Sequence, residues 1–166
     1  MAVTPLEVAC YKAEVKKVRD LLTAGAAVTF DALRNTVNFH SKGEAKKRLE
    51  ILKLLLDAGA DPNTPPEDEG ASVLQVAAAS ESTEILRMLI AAGGRVDTGC
   101  LVHAAIDWNH PENIRVLVAA GADPNEPLTS TTLPPDSPEL GMTPLQYARH
   151  LKHRKCVAVL TELLGG

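Results

Sequence analysis

The stretch from Leu49 to Asn63, LEILKLLLDAGADPN, constrains the fold more than any other part of the chain because it recurs. Ile51, Leu52, Leu55 and Leu56 fall on one helical face, Lys53 and Asp57 lie off it, and Gly59 stands where a left-handed C-cap is wanted. A helix therefore ends at Ala58. Asp61-Pro62-Asn63 blocks its continuation, since proline lacks the N–H and Asp or Asn favours turns. The phrase returns at Ile114 to Asn125 as IRVLVAAGADPN, more loosely at Ile85 to Asp97, and weakly at Val18 to Val28. The closing glycines, Gly25, Gly59, Gly93 and Gly121, stand 34, 34 and 28 residues apart. Such a chain is built from repeats, each packing on its neighbours rather than around one centre.

Before each of these helices stands a shorter one with its own signature, clearest as TPLEVA at Thr4 to Ala9 and TPLQYA at Thr143 to Ala148. A period near 33 with Thr-Pro-Leu-x-x-Ala, a helix, a second helix and Ala-Gly-Ala-Asp resembles the ankyrin repeat. The resemblance runs over nearly the whole chain. It implies an all-α solenoid of about five helix–turn–helix repeats forming a single domain over 1–166. The repeats are expected at about 1–27, 28–63, 64–97, 98–125 and 140–166, with an inserted loop at 126–139.

Hydrophobic residues make up 45% of the chain but aromatics only 3%, so packing must come from Ala, Leu and Val between closely stacked helices. A net charge of −4, with Lys and Arg scattered apart from Lys46-Lys47-Arg48, supplies no field for phosphates and argues against nucleic acid. No apolar stretch is long enough to cross a bilayer, and MAVTPLEVAC lacks a secretory pattern. The expectation is a monomer that begins near Met1 and resides in the cytosol or nucleus, without a membrane partner. Cys10, Cys100 and Cys156 are far apart, odd in number and in the apolar phase of their helices, which predicts buried reduced thiols.

In order along the chain, Thr4 with Glu7 three residues on predicts a capping box, with Pro5 in the first turn. The next helix, from about Glu14 to Ala24, should bury Val15, Val18, Leu21 and Leu22, while Lys12, Lys16, Lys17 and Arg19 supply a polar end face. The second repeat departs from the pattern: Phe30 to Phe39 has no Thr-Pro-Leu, and Thr36 replaces the first alanine. HSKGEAKK then adds a charged loop or extra turn. SVLQVAA at Ser72 to Ala78 is a proline-free signature leading to Ile85, Leu86, Leu89 and Ile90 as the third stripe. CLVHAAI at Cys100 to Ile106 places His103 at the histidine of the ankyrin signature, a resemblance that implies a structural tether. The Pro-, Ser- and Thr-rich stretch from Glu126 to Gly141 is long enough to be mobile or to fold over the groove as a flap. Basic residues from Arg149 to Lys155 suggest a solvated terminal cap.

No phosphate loop, nucleophile elbow, Cys-x-x-Cys or His-Glu-x-x-His occurs, so no catalytic residue, cofactor or metal is assigned. His150 and His153 are one helical turn apart, but two ligands without a third are weak evidence for a metal. The resemblance implies a concave face whose exposed pairs follow the signature alanines: Tyr11 and Lys12, Asn38 and Phe39, Ala79 and Ser80, Asp107 and Trp108, His150 and Leu151. Three of the five aromatic side chains, Tyr11, Phe39 and Trp108, fall in these ten positions. Exposed aromatics on a groove are typical binding anchors. With repeats about 8–10 Å apart, the pairs spread over about 40 Å, which suits a peptide or protein partner. A rival reading uses only the middle, where Phe39 and Trp108 flank small residues near Gln75, His103, Asp107, Tyr147 and His150, as a pocket that binds or acts on a small molecule.

Overall fold

The computed structural model describes residues 3–38, 44–66, 70–97, 100–129 and 133–165. Among the described residues there are ten α-helices and no strand. They are α1 (Pro5–Tyr11), α2 (Val15–Thr23), α3 (Phe30–Val37), α4 (Ala45–Asp57), α5 (Val73–Ala78), α6 (Thr83–Ala91), α7 (Leu101–Asp107), α8 (Pro111–Ala119), α9 (Pro144–His150) and α10 (Arg154–Leu163). Each odd-numbered helix packs on the even-numbered helix that follows it. The short helices α1, α3, α5, α7 and α9 stack in one layer, and α2, α4, α6, α8 and α10 stack in a second. The expected all-α solenoid is therefore observed.

Local chemistry explains the helix ends. Thr4, Ser72 and Thr143 each accept from the backbone N–H three residues on, while Glu7, Gln75 and Gln146 reach back to the cap N–H, so three short helices begin with complete capping boxes. Thr29 caps α3 two residues earlier than the signature would, which is how the second repeat keeps its short helix without Thr-Pro-Leu. At the other end Gly59 adopts φ +90°, and the Ala60 N–H reaches the Leu55 carbonyl at 3.0 Å, the six-to-one bond of a Schellman cap. The same bond joins Ala26 to Leu21, Gly94 to Leu89 and Ala122 to Leu117.

The core is one continuous strip between the two layers. Leu6, Leu55, Leu89, Leu117 and Leu160 are all buried, as are Ile51, Leu52, Ile85 and Leu86. Thr36 is fully buried where the signature has alanine, and its hydroxyl donates to the Ala32 carbonyl at 2.8 Å, so no polar atom is stranded. Val18 is buried as expected, but Val15, Leu21 and Leu22 are only half-buried. α2 opens the outer layer and has only α4 beside it there. Cys10, Cys100 and Cys156 are free and buried; burial pushes the Cys156 thiol up to about 11 and also raises that of Cys10.

Adjacent repeats are also tied by side chains near the start of three outer helices, eleven residues before the closing glycine in two of them and twelve in the last. Arg48, 5% exposed, donates to the carbonyls of Cys10 (3.0 Å), Tyr11 (2.7 Å) and Asn35 (2.7 Å) and to the Glu44 carboxylate (3.0 Å). At the same position His110 is hydrogen-bonded to the Ala79 carbonyl. Its counterpart in the last repeat, His153, lies 2.7 Å through Nδ1 from the Ile106 carbonyl. Each reaches the end of the preceding repeat's short helix, where carbonyls lack intrahelical partners. Asn113 adds to this, donating to the Ala78 and Ser80 carbonyls at 2.9 and 2.8 Å.

Candidate functional site

The C-terminal ends of α3, α5 and α7 come side by side and leave an open groove of about 360 Å³. Of the residues expected on the concave face, the groove gathers Asn38, Gln75, Ala79, Ser80, Asp107 and Trp108. Its walls are completed by Val37, Ala71, Val76 and Ala104, which the sequence reading did not select. Val37, Val76 and Ala104 each adjoin a residue expected on the face or in the rival pocket, whereas Ala71 adjoins none. Phe39, expected as the opposite wall, lies outside the described residues.

Trp108 is 60% exposed and forms the C-cap of α7. Asn109 at φ 55° and Pro111 at the first position of α8 then turn the chain sharply, so the indole stays at the helix end instead of entering the core. Asp107 is exposed, and its carboxylate accepts the Tyr147 hydroxyl at 2.5 Å. Burial, with Asp107 next, raises the Tyr147 pKa well above its usual value, so this hydroxyl is a donor at neutral pH. The Tyr147 ring also packs on His103, with centroids 5.4 Å apart.

Ser80 belongs to the groove wall but is buried, its hydroxyl donating to the Ala77 carbonyl at 2.9 Å. Gln75 and Ala79 are half-buried, and the Gln75 carbonyl is engaged in the α5 capping box. Tyr11, at 67% exposure, and Lys12 lie away from the groove at the first repeat. His150 and Leu151 lie at the last repeat, where His150 Nε2 is 3.5 Å from a Glu139 carboxylate oxygen. His153, three residues further on, places Nδ1 2.7 Å from the Ile106 carbonyl.

His103 is 2% exposed, with Nε2 3.0 Å from the Met142 carbonyl. Burial lowers its pKa, against the Met142 bond and the Asp107 charge, which act the other way, so it is neutral at pH 7. That tether fixes the base of the inserted loop to α7. The loop is also closed on itself, with the Leu128 N–H donating to the Met142 carbonyl and the Gly141 N–H to the Leu128 carbonyl. Cys100 Sγ accepts the Thr129 N–H at 3.4 Å on the same side. Among the described residues, no group of three or more His, Cys, Asp or Glu converges as metal ligands would, and no helix is long and apolar enough to cross a membrane.

Paired helices in two stacked layers, with glycine-capped outer helices and an open groove at the ends of the short ones, define a helical repeat protein. A family profile described as ankyrin repeats (three copies) matches residues 40–127, and the chain belongs to this family. The chain is 36% identical over 88 residues to the transient receptor potential channel pyrexia of Drosophila melanogaster, a match covering 51% of this chain and 9% of the channel. It is 31% identical over 106 residues to SH3 and multiple ankyrin repeat domains protein 1 of Homo sapiens, covering 55% of this chain and 5% of that protein. The protein of the same name in Mus musculus gives the same values. The chain thus spans less than a tenth of the length of these relatives. The ankyrin repeats and these similarities support a protein-interaction module in general terms.

Proposed function

We propose that residues 1–166 act as one non-catalytic binding unit whose concave face takes an extended segment of a protein partner, with the groove at Trp108 as its centre. The observation that carries this reading is the indole itself, 60% exposed beside a groove of apolar and amide side chains. In a chain that buries most of its large apolar groups, an exposed tryptophan at a groove is best explained as an anchor.

Peptides selected from a phage-displayed random library on the wild-type protein provide the test. They should bind Trp108→Ala about thirtyfold more weakly or worse, the equivalent of about 2 kcal/mol for a truncated aromatic anchor. Lys53→Ala, on the outer helix α4, should leave their binding unchanged. A folded Trp108→Ala protein that binds every selected peptide normally would remove the groove from consideration.

A further inference from the structure

The charge of this chain is unevenly distributed. Between Ile51 and Ala148 there are fourteen acidic residues and four basic ones, whereas residues 1–50 carry nine basic and six acidic. Of the four bases in the acidic stretch, Arg95 is paired with Asp97 and Arg115 with Glu112 and Glu162. Lys53 and Arg87 sit on the outer helices α4 and α6. Eight of the ten described lining residues of the groove come from this acidic stretch, and Asp107 is the only ionisable group among the ten.

Resting on the reading of this groove as a protein-binding face, we propose that its occupant is a basic segment whose arginine is held between the Trp108 indole and the Asp107 carboxylate. A guanidinium is planar, weakly hydrated and rich in donors, so it can stack on an indole and bond a carboxylate at the same time. The Tyr147 hydroxyl binds one oxygen of Asp107 at 2.5 Å, which orients the carboxylate and leaves its other oxygen with open acceptor positions. An acidic segment would meet the Asp107 carboxylate, with no basic group among the described lining residues to offset it. A purely apolar one would desolvate that carboxylate without replacing its hydrogen bonds.

Trp108 is the chain's only tryptophan, so selective excitation of indole emission reports on this groove directly. At physiological salt, acetylated hexa-arginine amide should change that emission saturably. The hexa-citrulline analogue, which keeps the shape and loses the charge, should bind at least about tenfold more weakly, as should hexa-arginine to Asp107→Asn. Asp107→Asn should keep the wild-type circular dichroism spectrum and thermal midpoint, and Lys53→Ala on the outer helix α4 should bind hexa-arginine as the wild type does, showing that the Asp107 effect is not a general loss of structure or of charge contrast. Equal binding of the citrulline peptide, an unaffected Asp107→Asn protein, or free arginine binding as tightly as the peptide would overturn the proposal. If library-selected peptides depend on Trp108 while hexa-arginine leaves its emission unchanged, the cationic occupant is wrong and the groove reading stands. If nothing depends on Trp108, both fall.

Discussion

Replacing Arg48 with methionine should do more damage than any other substitution outside the apolar core. Methionine keeps much of the buried stem but removes every donor. The guanidinium holds three carbonyls in two repeats together with the Glu44 carboxylate, at 2.7 to 3.0 Å. A buried acceptor left without its partner costs roughly 1–3 kcal/mol, and breaking a buried ionic network costs about 3–5 kcal/mol. The Cys10 carbonyl keeps its bond from the Ala13 N–H, and the bonds to Tyr11 and Asn35 are only partly buried, so water recovers some of the loss. The expected cost is about 3–4 kcal/mol, equivalent to a fall of about 6–16 °C in Tm for a chain of this size. Arg48→Lys keeps the charge without the planar fork and should fall between the two. Urea unfolding followed by circular dichroism gives the total, and hydrogen exchange resolved by segment gives its place. Because repeat stability is a sum of neighbour terms, exchange should accelerate in α1 to α3 and not in α7 to α10. A loss below about 1 kcal/mol, or acceleration spread evenly over the chain, would refute the role assigned to this side chain.

Two further outcomes follow from burial and titration. Leu55→Ala should cost about 2–5 kcal/mol in urea unfolding because Leu55 is fully buried, whereas exposed Lys53→Ala should cost little. Burial lowers the pKa values of His103 and His110, so both are neutral in the fold while an unfolded chain takes up their protons first. Stability should therefore be full above about pH 6.5 and decline as the pH falls below it. The loss between pH 7.5 and 5.5, read from denaturation midpoints, should shrink in His103→Gln.

The leucine stripes, the helix-ending glycines and the capping boxes were legible in the sequence because each is a local pattern: every partner lies within one helical turn. The tethers from Arg48, His110 and His153 were not, unlike that from His103, which its place in the signature marked. Arg48 reads as part of a basic triplet and His153 as half of a metal pair, because their partners are backbone carbonyls 38 and 47 residues away. A carbonyl has no letter in the sequence. The one available signal was positional, the constant eleven-residue distance to the helix-ending glycine shared by Arg48 and His110. At the groove, the register placed Asp107 and Trp108 on the surface, where they are, but could not show that Ser80, at the same position as Trp108, turns inward to bond its own helix.

The tethers at the starts of the outer helices give the array a direction of growth. Arg48, His110 and His153 all reach backward, from a later repeat to the carbonyls of an earlier one. A repeat grafted after the fifth could bring its own donor for the end of α9, with no change to the existing sequence. One grafted ahead of Thr4 would find Glu14 at that position, a carboxylate with nothing to offer a carbonyl. Fusion designs should therefore extend this solenoid from its C-terminal side, or replace Glu14 before building at the other.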